Sequence, residues 1–285
     1  MKSMLQKNNI QLINFQQSNN PVVNYVSQGK GAPVLLVHGL AASLRDWDDL
    51  LTPLADAGYA GYALDLLGHG DSIKPASVHD YTFESVFDHM LGWIDSLSIS
   101  EPAILIGHSL GGGLALLYAL RYPERARALV LIDPFFEMKQ LPIIMRTLFR
   151  SQLLNTKLID TTPYWLFRIM VDVTSFNIHI GNGETHNLPE NIRYQTALDY
   201  TRASSGIYNI PRALPFRTVD LHQIKQPSLV LWGERDQSLA QKSFSHLIDI
   251  LPNARGHSFR MCGHVPHQCH PDQLNPLVFE FLKSL

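Results

Sequence analysis

Short, wholly apolar runs recur along this chain, each closed by a glycine or an acidic residue and followed by a longer amphipathic stretch. Val34 to Val37 leads into His38-Gly39, Gly61 to Asp65 ends on its own aspartate, and Ala103 to Ile106 meets Gly107. Leu129 to Ile132 ends at Asp133-Pro134, and Ser228 to Trp232 ends at Gly233. Runs of this length bounded by breakers read as strands covered on both faces. The stretches Leu44 to Ala57, Phe83 to Leu97, Leu110 to Tyr122 and Leu239 to Leu251 have helical periodicity. Such alternation predicts an α/β fold with a mostly parallel sheet and helices on both faces. Ile10 to Phe15 and Val22 to Ser27 alternate more cleanly and predict an antiparallel edge.

The alternation lapses at Phe135 and resumes near Ile224. The intervening stretch is helix-like and rich in aromatics, with a Gly/Asn-rich break at Ile180 to Asn187. We expect residues 135–211 to form a helical insertion, with 1–134 and 212–285 making the core. A chain of 285 residues has room for both in one large domain.

Composition narrows the function. Lys+Arg 23 against Asp+Glu 25 leaves a formal charge of −2, far from the basic excess that nucleic-acid binding needs. No segment has ~18 consecutive apolar residues, so no membrane span is expected. Residues 1–20 are polar, and Cys262 and Cys269 make no disulfide framework. A reducing, cytoplasmic setting is the expectation.

Gly107-His108-Ser109-Leu110-Gly111 matches Gly-x-Ser-x-Gly. Unrelated chains contain this pattern by chance, so its context matters. A predicted strand leads in and a predicted helix leads out, which is the setting a nucleophilic serine on a sharp turn requires. The glycines permit the tight turn, and the helix N-terminus favours developing negative charge. The plainer reading is a glycine-rich helix start with a capping serine. Gly112 and Gly113 need no role beyond close helix–sheet packing.

A serine hydroxyl is a weak nucleophile without a base. Of 13 histidines, His264 in Cys262-Gly263-His264-Val265-Pro266-His267 follows a candidate last strand, His257 to Met261, which would bring it to the edge that holds Ser109. His108 should point away from the serine side chain, and His267 and His270 read as surface or helix-start residues. Cys262, His264, His267, Cys269 and His270 are close in sequence, but their spacing fits no common zinc pattern, and no metal is expected. For the carboxylate that orients the base, Asp236 and Asp133 both follow strands and both fit the order Ser, Asp, His. An Asx turn is the plainer reading of Asp236.

Taken together, His38-Gly39-Leu40, Asp65 to Ser72, Gly107 to Gly112, Leu231 to Asp236 and Cys262 to His267 run in the order found in the α/β-hydrolase superfamily, which this chain resembles from about residue 30 onward. The resemblance implies an eight-stranded core with a helical cap after the sixth strand. It implies Ser109, Asp236 and His264 as the catalytic triad, and the backbone N–H groups of Leu40 and Leu110 as an oxyanion hole. The segment Asp65 to Ser72 is then mainly structural. Similar sequences often carry an acidic residue where this one has Cys269.

The implied chemistry is acyl transfer to water without cofactor or metal. A serine at the turn disfavours the dehalogenase and epoxide hydrolase branches, which use aspartate. Meta-cleavage carbon–carbon hydrolases share the serine triad, but usually have more glycine than Leu40-Ala41-Ala42-Ser43 offers. The expected substrate is a small apolar carboxylic ester, with Trp165, Phe136 and Val265 as candidate wall residues. The apolar stretch Tyr164 to Val171 either packs the cap onto the core or lines that wall. A ligand receptor that retains the triad, and perhydrolase or haloperoxidase chemistry on the same triad, are the remaining alternatives.

Overall fold

The computed structural model describes residues 23–150, 159–175 and 188–285. Among the described residues seven strands form one sheet: β1 Tyr25–Gly29, β2 Ala32–Val37, β3 Tyr59–Leu64, β4 Ala103–His108, β5 Ala126–Ile132, β6 Ser228–Gly233 and β7 Ala254–Phe259. Their order is β1-β3-β2-β4-β5-β6-β7. Only β1 runs antiparallel, pairing Tyr25 with Leu64; every other neighbour is parallel. The other expected edge run, Ile10 to Phe15, lies outside the described residues, so an eighth strand has no counterpart among them.

Side chains alternate across the sheet, and the two cores show it. Leu35, Leu105, Leu129 and Leu131 face one cluster with α2 (Phe83–Ser96), α3 (Leu110–Arg121) and α7 (Lys242–Ile250). Val34, Leu36, Ile104, Ile106, Val130 and Ile132 face the other, with α1 (Asp48–Asp56) and α9 (Pro271–Lys283). Both faces are thus covered, which explains why these strands are apolar at every position.

Three elements begin or end differently from expectation. The stretch from Leu44 opens as a 3-10 turn, Leu44–Trp47, before α1, because the Ser43 hydroxyl accepts from Arg45 N and caps the turn. Helix α7 starts at Lys242, since Asp236 takes the N–H groups of Ser238 and Leu239 into a turn. The last strand is Ala254–Phe259 and stops before Met261, which has φ +56°. As a half-open edge strand with exposed Arg255, Gly256 and His257, it lacks the apolar signature of its neighbours.

Between β5 and β6 the described chain is helical: α4 (Ile143–Arg150), α5 (Tyr164–Thr174), α6 (Glu190–Arg202) and 3-10 turns at Ser205–Arg212 and Thr218–Gln223. Helices α5 and α6 share a small core of Phe167, Val171, Leu188 and Ala197. Two ion pairs also join this unit, Arg168 to Glu190 at 2.8 Å and Arg193 to Asp172 at 2.6 Å. No helix among the described residues is long and apolar enough to cross a membrane.

Candidate active site

The turn between β4 and α3 carries Ser109 at φ 50°, ψ −112°. A non-glycine residue held there costs roughly 1–3 kcal/mol and persists only where its surroundings enforce it. They do. Ser109 N donates to Ile132 O, and Ser109 O accepts from Phe135 N and Gly113 N. The flanking glycines answer a steric demand: a Cβ on Gly107 would lie 2.4 Å from Gly111 O, and one on Gly111 would lie 2.0 Å from Val37 O. The helix start is therefore pressed against both its own strand and the end of β2.

His264 arrives from the loop after β7, held by its own backbone. Its N–H donates to Thr174 O at the end of α5, and its carbonyl accepts from His108 Nε2 at 2.7 Å. His264 Nδ1 lies 2.7 Å from Asp236 Oδ2, and Nε2 lies 2.9 Å from Ser109 Oγ. With Nδ1–H donated to the carboxylate, Nε2 of the neutral ring is the acceptor and the Ser109 hydroxyl the donor. Asp236 is buried, and its other oxygen accepts from Ser238 N and Leu239 N at 2.6 and 3.1 Å. The Asx turn read from sequence is present too; one carboxylate makes both sets of bonds.

Asp133 is also close: one ligand atom each of Asp133, Asp236 and His264 falls within 4.8 Å of the others. Its Oδ1 accepts from Gly233 N at 3.1 Å. Burial, and then the charge of Asp236, push the Asp133 carboxyl well above the usual carboxylate range. It makes no hydrogen bond to His264 that would orient the ring.

Leu40 and Leu110 meet Ser109 and His264 at the wall of a cavity of about 370 Å³. Leu110 is the first residue of α3, where N–H groups lack intrahelical acceptors. Leu40 is held by its neighbours: His38 Nδ1 donates to Gly39 O at 2.7 Å while its Nε2 accepts from Leu66 N at 3.0 Å, a single tautomer that ties this loop to the segment just after β3. Asp65 pins the adjoining loop by accepting from Asn24 Nδ2, Leu44 N and Asp71 N.

The three expected wall residues are not at the wall. Phe136 is wholly buried in the core, and its neighbour Phe135 faces the cavity instead. Trp165 is 61% exposed on the outer side of α5, whose Ile169, Met170 and Val173 line the cavity. Val265 is not among the lining residues. Phe149, Tyr200 and Tyr208, from α4, α6 and the following 3-10 turn, complete the apolar surround. Among the described lining residues there is no lysine, arginine, aspartate or glutamate. Burial pushes the Tyr200 hydroxyl up to about 12, so it stays neutral.

The histidines near residue 264 separate. His264 joins the serine row, and His270 stacks on Phe259. His267, expected as a surface or helix-start residue, is the second residue of the short helix α8 (Pro266–Cys269), but it is only 4% exposed and packs between Trp47 and His108.

Comparison with known proteins follows this geometry. A family model described as the alpha/beta hydrolase fold matches residues 32–271. A 2-hydroxymuconate semialdehyde hydrolase from Pseudomonas sp. (strain CF600) is 28% identical over 268 residues, covering 91% of this chain and 89% of its own. A cis-3-alkyl-4-alkyloxetan-2-one decarboxylase from Shewanella oneidensis is 26% identical, covering 88% and 81%. Among solved structures, a thermophilic esterase from Thermogutta terrifontis superimposes with a TM-score of 0.77 at 22% identity, covering 93% of this chain and 94% of its own. A meta-cleavage product hydrolase from Pseudomonas fluorescens IP01 does so at 0.74 and 24%, covering 93% and 95%.

Proposed function

Since the chain belongs to the alpha/beta hydrolase fold family, we propose that it is a serine hydrolase of small, apolar carboxylic esters. The observation that carries this reading is the row Asp236–His264–Ser109 opening into an apolar cavity without charged side chains among its described residues.

In this reading Ser109 Oγ attacks the ester carbonyl carbon while His264 Nε2 takes its proton. Asp236 stabilises the imidazolium and keeps the ring in register. The N–H groups of Leu40 and Leu110 receive the oxyanion, where one donor typically contributes about 3–4 kcal/mol of transition-state stabilisation. His264 then protonates the leaving alcohol, and water repeats the sequence on the acyl-enzyme. The steps need no cofactor or metal. Residues 135–211 act as the cap, and the core comprises 1–134 and 212–285.

Carbon–carbon hydrolysis is the second reading, because a curated relative is named for a muconate semialdehyde. A muconate is a carboxylate and calls for a cationic or strongly donating anchor. The described lining supplies no cation, and beyond Ser109 and His264 its side-chain donors are the neutral groups of Thr174, Tyr200, Tyr208, Gln237 and Ser238, which favours the neutral ester.

A panel of p-nitrophenyl esters from acetate to octanoate, run beside a 2-hydroxy-6-oxodienoate, tests the choice. Multiple turnover of the short esters, with the dienoate slower, is the expected result. Ser109→Ala should lower kcat by about 10⁴–10⁶-fold with an unchanged circular dichroism spectrum. Faster turnover of the dienoate would move the substrate to the second reading. One-time acylation without turnover would point to a ligand-binding role.

A further inference from the structure

Behind the serine row, away from the cavity, three side chains from distant parts of the chain converge in a fully buried space. Asp46 comes from the 3-10 turn before α1, His108 from the end of β4, and His267 from α8. Asp46 Oδ2 lies 3.6 Å from His108 Nδ1 and 3.7 Å from His267 Nε2, and one ligand atom of each falls within 4.8 Å of the others. None of these three atoms has a hydrogen-bond partner. Among the described residues no lysine or arginine pairs with Asp46.

The tautomer of His108 sharpens the problem. A carbonyl only accepts, so the His108 Nε2 that meets His264 O at 2.7 Å carries the proton. Nδ1 of the neutral ring then presents its lone pair toward the Asp46 carboxylate. Two acceptors face each other at a separation too long for a shared proton. The spacing suits a third body: ligand atoms around one tetrahedral zinc, each at about 2.1 Å, stand ~3.4 Å apart. Two of the three side chains have the outer partner that metal ligands usually have, while the far nitrogen of His267 has no hydrogen-bond partner. The far nitrogen of His108 donates to a backbone carbonyl, and the far oxygen of Asp46 accepts from Gln268 Nε2 at 2.9 Å. Trp47 covers His267, with ring centroids 5.2 Å apart.

We propose that Asp46, His108 and His267 form a binding site for a divalent first-row cation, zinc by preference for this two-nitrogen, one-oxygen set. None of the three lines the substrate cavity, so the ion is structural. Its consequence for the reaction runs through one bond, the His108 N–H that holds the carbonyl of His264. The site stands whether or not the ester reading is right, and its test reads metal rather than turnover.

The full chain is stripped with a chelator, reloaded with zinc or cobalt(II) and freed of excess metal. Bound metal is then measured by mass spectrometry, alongside the cobalt absorption spectrum and the melting temperature. The wild type should retain stoichiometric zinc, show the intense visible bands of low-coordinate cobalt, and melt higher with zinc than without. Asp46→Asn and His267→Gln should lose the bound metal and the zinc-dependent rise. An anomalous difference map at the zinc edge should place its peak between the three side chains, and this readout stands even if a variant folds poorly. Sub-stoichiometric metal in the wild type, equal retention in both folded variants, or a peak elsewhere would overturn the proposal. So would a water or a directly bonded Asp46–histidine pair at that position.

Discussion

Asp236 and Asp133 follow neighbouring strands, and both carboxyl groups approach His264. Asp236 accepts from His264 Nδ1 at 2.7 Å and from Ser238 N at 2.6 Å, while burial and then the charge of Asp236 push the Asp133 carboxyl well above the usual carboxylate range. The two are therefore expected to respond differently to the same substitution. Asp236→Asn removes the acceptor that selects the tautomer and should cost about 10⁴-fold in kcat. Asp133→Asn keeps an oxygen for Gly233 N–H and should cost only a small fraction of that. Ester kinetics on the two folded variants check this, and the reverse ranking would make Asp133 the orienting acid. Sequence reasoning reached both residues but had only order and resemblance to rank them. What ranks them in space is the direction of a side chain, Asp133 directly after β5 and Asp236 separated from the end of β6 by Glu234 and Arg235, which order alone does not encode.

At the scale of elements, the elbow and the cap meet at the histidine. Helix α3 can begin so close to β2 only because position 111 has no side chain: the nearest carbonyl oxygen stands 2.0 Å from where a Cβ would be. Gly111→Ala must shift the start of α3, and with it Leu110 N–H and Ser109. We expect a loss of about 1–3 kcal/mol in stability together with a fall in kcat, measured by urea unfolding and ester turnover. Wild-type values for both would show that the helix start is softer than its packing implies. The cap contributes a carbonyl, Thr174 O, to the N–H of His264, and Asp199 of α6 accepts from Ser43 Oγ near the Leu40 loop. The strands and the long core helices were readable, because a residue buried on both faces must be apolar at every position. The wall residues were not. At about 100° per residue, Ile169, Met170 and Val173 share one side of α5, Phe167 and Val171 share another, and Trp165 falls outside both. A helix apolar almost all round does not announce which side meets the substrate. Phe135 and Phe136 differ by one step in a loop without periodicity, so the core took one and the cavity the other.

At the scale of the whole molecule, a buried histidine is expected to make stability fall as pH falls. His69 is fully buried; Nδ1–H donates to Leu67 O at 2.8 Å and its ring meets His38 edge-on. Burial, and then His38, hold it well below 6.5, with Lys74 and His89 adding in the same direction. The native state thus binds fewer protons than the unfolded chain just below pH 6.5, so this contribution is present above 6.5 and is lost as pH falls. The slope is about 1.4 kcal/mol per pH unit below 6.5. His69→Asn retains a donor for Leu67 O and should flatten the decline between pH 7.5 and 5. Urea midpoints at the two pH values give the slope independently of any change in baseline stability, and an unaltered slope would place the acid sensitivity elsewhere.

The amino-acid pattern by itself determined the layered α/β architecture and narrowed the site to one candidate serine on a sharp turn, a candidate histidine after the last strand and two candidate acids. Buried strands need continuous apolar runs, a sharp strand-to-helix turn needs glycines, and a serine nucleophile needs a base. Tertiary structure alone decided which acid touches Nδ1, which face of α5 meets the cavity, and that Asp46, His108 and His267 share one buried space. Those outcomes depend on side-chain direction and on contacts between residues as many as 221 positions apart (46 to 267), where hydrophobic periodicity carries no information about who meets whom.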